Sequence, residues 1–152
     1  SEDKRLYVAS VLKGQVDSVF RSDTDANIII MGDFNDYPDN ESLRSILGAL
    51  PPDSVAAGRL YNLMFPLQKQ GKGTHKMDAD WGILDQLIVS GHLLKPTATF
   101  KTGSDGTAIF DADFLLTDDK KYLGKEPYRT YNGMKYTGGF SDHLPVYADF
   151  WY

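Results

Sequence analysis

The run Ile28-Ile29-Ile30-Met31 breaks off at Gly32-Asp33-Phe34-Asn35. Four successive apolar residues leave a strand no polar face, so it needs cover on both sides. That condition constrains the fold more than any other feature of the chain. Asn27 to Met31 is therefore expected to be a short central strand. The preceding residues agree. Val8, Leu12, Val16 and Val19/Phe20 recur at helical spacing over residues 2–20, with Lys4, Arg5, Lys13 and Asp17 among the polar positions. Ser22 to Asn27 reads as a polar turn. Helix, turn, buried strand and polar loop make the start of an α/β (α+β) domain.

Further on, Pro38-Asp39-Asn40 can cap a second helix over residues 41–47, with Leu43, Ile46 and Leu47 on one face and Gly48 as its stop. Residues 60–65 fit a short helix or a strand equally well. Residues 73–77 and 83–90 read as two strands joined into a hairpin at Asp78-Ala79-Asp80. A further strand is expected at residues 97–101, followed by a turn at 103–106 and an edge within 108–117. Residues 120–139 are rich in Tyr, Gly and Lys and read as a long surface loop. Leu144 to Trp151 is the last strand, with Leu144, Val146, Ala148 and Phe150 on one face.

Composition narrows the function classes. The 152 residues suffice for one domain with a core, and 41% apolar with 24% charged residues is ordinary for a globular chain. The net charge is −5 and the basic residues are scattered. A basic stripe, the footprint of non-specific duplex binding, is missing. With no cysteine, disulfides and thiolate metal sites are excluded, and the compartment stays open, cytoplasmic or exported (secreted or periplasmic). No apolar stretch approaches the ~20 residues of a membrane span.

The chemistry-bearing residues sit at strand ends. Asp33 lies where the chain leaves its apolar strand, and Gly32 lets the backbone turn there. Asn35 can donate to a phosphate oxygen or hold an attacking water; the same tetrapeptide is also an ordinary turn. Asp142 and His143 stand side by side at the mouth of the last strand, where neighbouring residues point in opposite directions. The acid suits a metal or water, and the imidazole a phosphate; a structural histidine is the alternative. Asp85 interrupts an apolar strand, which is costly for a lone acid. Its best partner is His143, in a pair that fixes the imidazole tautomer. A solvent-facing Asp85 is the alternative, kept open by Gln86 beside it. His75 and Trp81 are candidates for substrate contact. The aromatic residues Trp81, Tyr128, Tyr131 and Tyr136 read either as a stacking rim or as loop anchors. Acid, amide, acid and histidine together match metal-assisted phosphoester cleavage. That reaction needs a cation over the anionic oxygens, a base for water and a donor near developing charge.

Residues 31–35 with Pro38, residues 84–90, and Ser141-Asp142-His143-Leu144-Pro145-Val146 occur in an order that resembles the endonuclease/exonuclease/phosphatase superfamily, the deoxyribonuclease-I-like fold. The resemblance implies a four-layer α/β/β/α sandwich and hydrolysis of phosphoesters with Mg²⁺ or Mn²⁺, by in-line attack of an activated water. Nucleases, lipid phosphodiesterases and phosphatases all fall within it, so the substrate stays open. It implies that Asp33 orients or deprotonates water and also meets the metal. Asn35 would contact the scissile phosphate, Asp85 would partner His143, Asp142 would bind metal, and His143 would stabilise the phosphate. Domains of that family are longer, and their first half carries a metal-binding Glu; Glu2, Glu41 and Glu126 do not lie in that motif. Residues 1–152 are thus expected to form the C-terminal portion of such a domain: half of the sandwich, one mixed and mostly antiparallel sheet with helices on one face. Half a sandwich exposes an apolar sheet face, so the chain is expected to form a homodimer or to pair with an N-terminal half. The competing expectation is a non-catalytic half-domain that serves binding or assembly.

Overall fold

The computed structural model describes residues 1–152. It is an α+β fold built around one four-stranded mixed sheet. Helix α1 spans Glu2–Ser22 and is followed by strand β1, Ile29–Asp33. Strands β2 (Ala49–Leu50), β3 (Leu60–Asn62) and β6 (Asp85–Ser90) complete the sheet in the order β1-β6-β3-β2. Only the β2–β3 pair is parallel. Between β3 and β6 come helix α2 (Phe65–Lys69) and the hairpin of β4 (His75–Met77) with β5 (Asp80–Gly82). After β6, β7 (Thr107–Ile109) pairs with β12 (Val146–Ala148), β8 (Leu116–Asp118) with β9 (Lys125–Pro127), and β10 (Tyr131–Asn132) with β11 (Lys135–Tyr136).

The sheet has a core on each side. On one face Ala9, Val16 and Phe20 of α1 pack with Leu43, Leu47, Leu60 and Ile88. On the other, Leu87 and Val89 pack with Met64 and Leu67 around α2 and with Ile109 and Leu144 from the β7–β12 layer. Strand period explains the division: Ile88 faces α1 while its neighbours Leu87 and Val89 face the opposite way. Burying these side chains is the main favourable contribution to the fold, about 1.5–3 kcal/mol for each large one.

Several expectations change. The apolar strand at residues 28–31 is an edge, not a central strand, because β1 pairs with β6 alone. Ile28 and Ile30 pack toward α1, but Ile29 and Met31 are 44% and 62% exposed. The layer that covers Leu87 and Val89 does not extend over β1. Tyr7, Val8, Val11 and Val19 on α1 are exposed as well. The 73–77 segment forms its hairpin with Asp80–Gly82 rather than with residues 83–90, which belong to the main sheet. Residues 97–101 form no strand; Lys101 makes one isolated bridge to Trp151. The long loop at 120–139 carries β9 and the β10–β11 hairpin, and the last strand shortens to Val146–Ala148. Residues 60–65 supply β3 and then lead into α2. The second helix is a single π-helical stretch, Ser42–Leu47, that buries Leu43 and Leu47 and stops at Gly48 with φ 77°. Glycine tolerates that left-handed backbone without a Cβ penalty.

Candidate active site

Asp33 and Asp85 lie directly opposite one another at the ends of β1 and β6. Residues opposed in an antiparallel pair share a face, and like charges placed so are destabilising. Each acid has found its own relief. Asp85 Oδ2 lies 2.7 Å from His143 Nδ1, and both side chains are mostly buried. A carboxylate only accepts hydrogen bonds, so this contact places a proton on Nδ1 and directs Nε2 outward. Asp33 Oδ1 accepts the Asn35 backbone N–H at 2.8 Å, and its Oδ2 accepts the Asn35 amide at 3.3 Å. The loop that permits this has two left-handed residues, Gly32 at φ 147° and Asn35 at φ 50°. Asparagine is among the few side-chain-bearing residues that adopt that conformation readily.

The second histidine joins from β4. His75 and His143 form an isolated antiparallel bridge, with ring centroids 4.6 Å apart. Burial and the nearby positive charges of His143 and Arg129 hold the His75 imidazole below its ordinary pKa, against an opposing pull from Asp142 and Asp33. One ligand atom each from His75, Asp142 and His143 lies within 4.8 Å of the others, and the same holds for Asp33, Asp85 and His143. The structure thus gathers Asp33, Asn35, Asp85, Asp142, His143 and His75 at one corner. Trp81 is not gathered with them. Its ring packs on the core beside Ile109 and Leu144 and lines a separate groove of about 200 Å³.

Three supporting residues escaped the sequence reading. Asp36, only 4% exposed, accepts from the Ser42 hydroxyl at 2.5 Å and from the Asn40 amide, and Arg5 Nε of α1 lies 3.0 Å away. Burial alone would raise its pKa; the Ser42, Asn40 and Arg5 contacts outweigh it and hold the carboxyl low. Gln86 is fully buried, donating to the carbonyls of Asp36 at 2.8 Å and Ile83 at 3.0 Å and accepting from Asn62 at 2.8 Å. It is therefore Gln86, not Asp85, that turns into the packed interior beside the loop carrying Asp33. Thr74 Oγ1 accepts from the backbone N–H of Leu84 at 3.1 Å and Asp85 at 3.4 Å, while its carbonyl accepts from Leu144 at 2.7 Å. One buried threonine so sets the acid and the histidine strands at fixed distance. The only sequence signal for these three was a polar residue beside each motif.

Tyr128 donates to the Thr137 carbonyl at 2.7 Å, and Tyr131 packs on Tyr136 across its hairpin. They behave as loop anchors. Lys125 pairs with Asp118 at 2.8 Å, and Lys121 lies 3.9 Å from Asp78, so most of the basic patch at 120–125 is neutralised locally.

Asp33 and Asp142 are exposed carboxylates that fall in two separate clusters, each within 4.8 Å of a ligand atom of His143, and a hard divalent cation takes such oxygen ligands and retains waters. An acidic, imidazole-bearing corner at the ends of a mixed sheet is a donor set that can hold a metal ion. The comparison with protein families agrees: residues 1–151 match the model of the endonuclease/exonuclease/phosphatase family, and the chain belongs to that family. Its members are in general metal-dependent phosphoesterases and nucleases. The chain matches no curated protein and no solved structure. No helix is long and apolar enough to cross a membrane.

Proposed function

We propose that the chain hydrolyses phosphoesters, with Asp33, Asn35, Asp85, Asp142 and His143 as its working residues. The contact that carries this reading is the 2.7 Å pairing of Asp85 with His143 Nδ1, set opposite Asp33 across the β1–β6 ladder. Mg²⁺ or Mn²⁺ at Asp33 and Asp142 would neutralise phosphate oxygens and supply charge stabilisation. Asp33 takes the proton of the attacking water and aligns it with phosphorus. The Asn35 amide keeps one N–H free of Asp33 and turns it to a phosphate oxygen. Protonated on both ring nitrogens, His143 donates its Nε2–H to a phosphate oxygen, where negative charge accumulates as the leaving oxygen departs and takes a proton from solvent. Asp85 holds the ring in that orientation and balances the imidazolium charge. The acidic balance and the absence of a basic stripe favour a small or non-nucleic phosphoester over duplex DNA.

We infer that residues 1–152 form the C-terminal portion of a larger two-sheet domain. The support is the free edge of β1 beside a groove of about 610 Å³ lined by Val8, Leu12 and Met31 and reaching Asp33 and Asn35. A second copy, or a segment N-terminal to residue 1, would cover it. Light scattering and apolar-dye binding test this: a monodisperse 17.0 kDa species that binds no dye would defeat it.

The hydrolysis reading is tested with Mg²⁺ and Mn²⁺ on a panel of phosphodiesters and phosphomonoesters, with Asp33→Ala alongside. Metal-dependent turnover lost in the variant supports it. Equal turnover in the variant would sink it. A chain that assembles yet turns over nothing favours the second reading, a half-domain used for assembly, for which the exposed groove is the observation.

A further inference from the structure

The two histidines at this corner are held together by backbone, not by accident of side-chain packing. His75 and His143 oppose one another in the bridge between β4 and the residues preceding β12, and the Leu144 N–H donates to Thr74 C=O at 2.7 Å one residue along. Opposed residues carry their Cβ atoms about 4.5–5.5 Å apart. The rings accordingly sit at 4.6 Å, tilted by 46°. The Asp142 carboxylate lies next to both. His143 Nδ1 is committed to Asp85, which leaves Nε2 as its one free ligand atom. No hydrogen bond engages the His75 ring or the Asp142 carboxylate; the turn between them is held by the His143 N–H donating to Ser141 Oγ at 3.1 Å.

Two imidazole nitrogens and one carboxylate are an unusual donor set for Mg²⁺, which prefers oxygen throughout. They suit a borderline cation such as Zn²⁺, Co²⁺ or Ni²⁺, for which imidazole is the favoured ligand. Three protein ligands also leave a tetrahedral ion one open position. With metal–ligand distances of ~2.0–2.1 Å, tetrahedral ligand atoms stand roughly 3.4 Å apart. The three atoms here lie within 4.8 Å of one another. Closing on an ion therefore needs a movement of at most about 1.4 Å, within reach of side-chain torsions. The Asp85 contact on the far side of His143 is the carboxylate–histidine support that fixes tautomer and orientation at metal-ligating imidazoles.

We propose that His75, Asp142 and Nε2 of His143 form a site for a transition-metal cation of the Zn²⁺, Co²⁺ or Ni²⁺ kind, which shares Asp142 with the oxygen-ligand site proposed above and differs from it in adding two imidazole nitrogens. An ion seated there uses the nitrogen that the hydrolysis reading turns toward phosphate. Such an ion competes with substrate and inhibits Mg²⁺-dependent turnover; this consequence rests on that reading, while the binding does not.

The test titrates the full chain with Zn²⁺ and with Co²⁺ in the absence of substrate. Calorimetry gives stoichiometry and affinity, Co²⁺ visible absorption reports geometry, and NMR follows the three histidine rings. One ion per chain is expected, with the His75 and His143 resonances shifting together and those of His92, which lies 3.3 Å from Asp25, unmoved. His75→Gln should weaken binding at least tenfold, while His92→Gln binds as the parent does. Equal affinity in His75→Gln, or shifts confined to His92, would overturn the proposal. Should His75→Gln fail to fold, the ring resonances of the unaltered chain decide. Zn²⁺ should also suppress Mg²⁺-dependent hydrolysis, and His75→Gln should require at least tenfold more for the same loss. Tight binding at these rings in a chain that hydrolyses nothing would uphold the metal site and refute the hydrolase reading.

Discussion

Replacing Asp85 by asparagine changes one charge and almost no volume, and the structure says what is lost. Asp85 Oδ2 sits 2.7 Å from His143 Nδ1, with the two side chains 16% and 21% exposed. A carboxylate can only accept at that point. An amide can present either its oxygen or its NH₂, so the tautomer of His143 is no longer dictated. A hydrogen bond to a charged group contributes about 1.5–3 kcal/mol. Partial exposure argues for the lower half of that range, so we take about 2 kcal/mol. At 1.36 kcal/mol per decade, kcat/KM should fall about 30-fold. Most of the loss should appear in kcat, because the phosphate charge that the His143 N–H meets grows as the reaction proceeds. The assay is Mg²⁺-dependent turnover on the best substrate of the panel, with far-UV circular dichroism as the folding control. Nitrogen-15 NMR should show the His143 ring shifting away from a single Nδ1-protonated form. A folded Asp85→Asn chain with kcat/KM within threefold of the parent would refute the reasoning, because the pair would then be structural.

The other predictions bear on the scaffold. Asp36→Ala removes the acceptor shared by Ser42, Asn40 and Arg5, and should cost about 2–3 kcal/mol in urea unfolding and loosen the loop carrying Asp33. Lys76 Nζ lies 2.5 Å from Asp119 Oδ2, and with the N–H groups of Tyr122 and Lys121 it lowers that carboxyl to about 2. Because the folded value lies below the ordinary 3.8, the contribution is complete above that value and disappears as pH falls through the interval between the two. Thermal midpoints of the parent should therefore drop over that acid interval, and Asp119→Asn should lose that part of the slope. His75 is also lowered, so its unfolded form takes a proton first as pH falls below 6.5; stability should decline there in metal-free buffer, and His75→Gln should flatten the decline. Gly82→Ala would place a methyl group 2.4 Å from the Tyr37 ring, and should displace that ring and destabilise the hairpin behind His75, as measured by thermal unfolding.

The cluster was legible in sequence because its acids and histidines stand out at strand ends. A lone acid in an apolar strand demanded a partner, and Asp85 does pair with His143. Helix α1 was legible from its period, ending two residues later than expected. The apolar run at 28–31 misled for a physical reason. Hydrophobicity reports what a strand would bury, not whether its neighbour is present, and β1 has a partner on one side only. The weakest readings fell on residues 97–101, whose one bridge joins Lys101 to the distant Trp151, and on residues 120–139, where short hairpin pairs such as Asp118 with Lys125 close over turns. Local propensity carries little information about such contacts. Asp36, Thr74 and Gln86 were hidden for a related reason: each is an ordinary polar residue whose role comes from burial.

The misread strand and the site belong to one physical problem. Asp33 stands at the end of β1, and its only ladder neighbour is another acid, Asp85. Asp85 is balanced by His143, but Asp33 has only the neutral donors of Asn35. An acid left so at the rim of a sheet gains from any cation that reaches it. The groove lined by Val8, Leu12 and Met31 opens onto that same carboxylate. A second copy seated on the groove would remove water from one side of Asp33, and lower local polarity would strengthen its attraction to a metal. Metal affinity at Asp33 should therefore rise with assembly, so Mg²⁺ binding and oligomeric state are linked. Measured across protein concentration, the two should change together in the parent. Val8→Glu, which places a charge in the groove without touching a ligand, should weaken both. Mg²⁺ affinity that stays constant while the chain goes from monomer to assembled form would break the link and confine the groove to a role in folding.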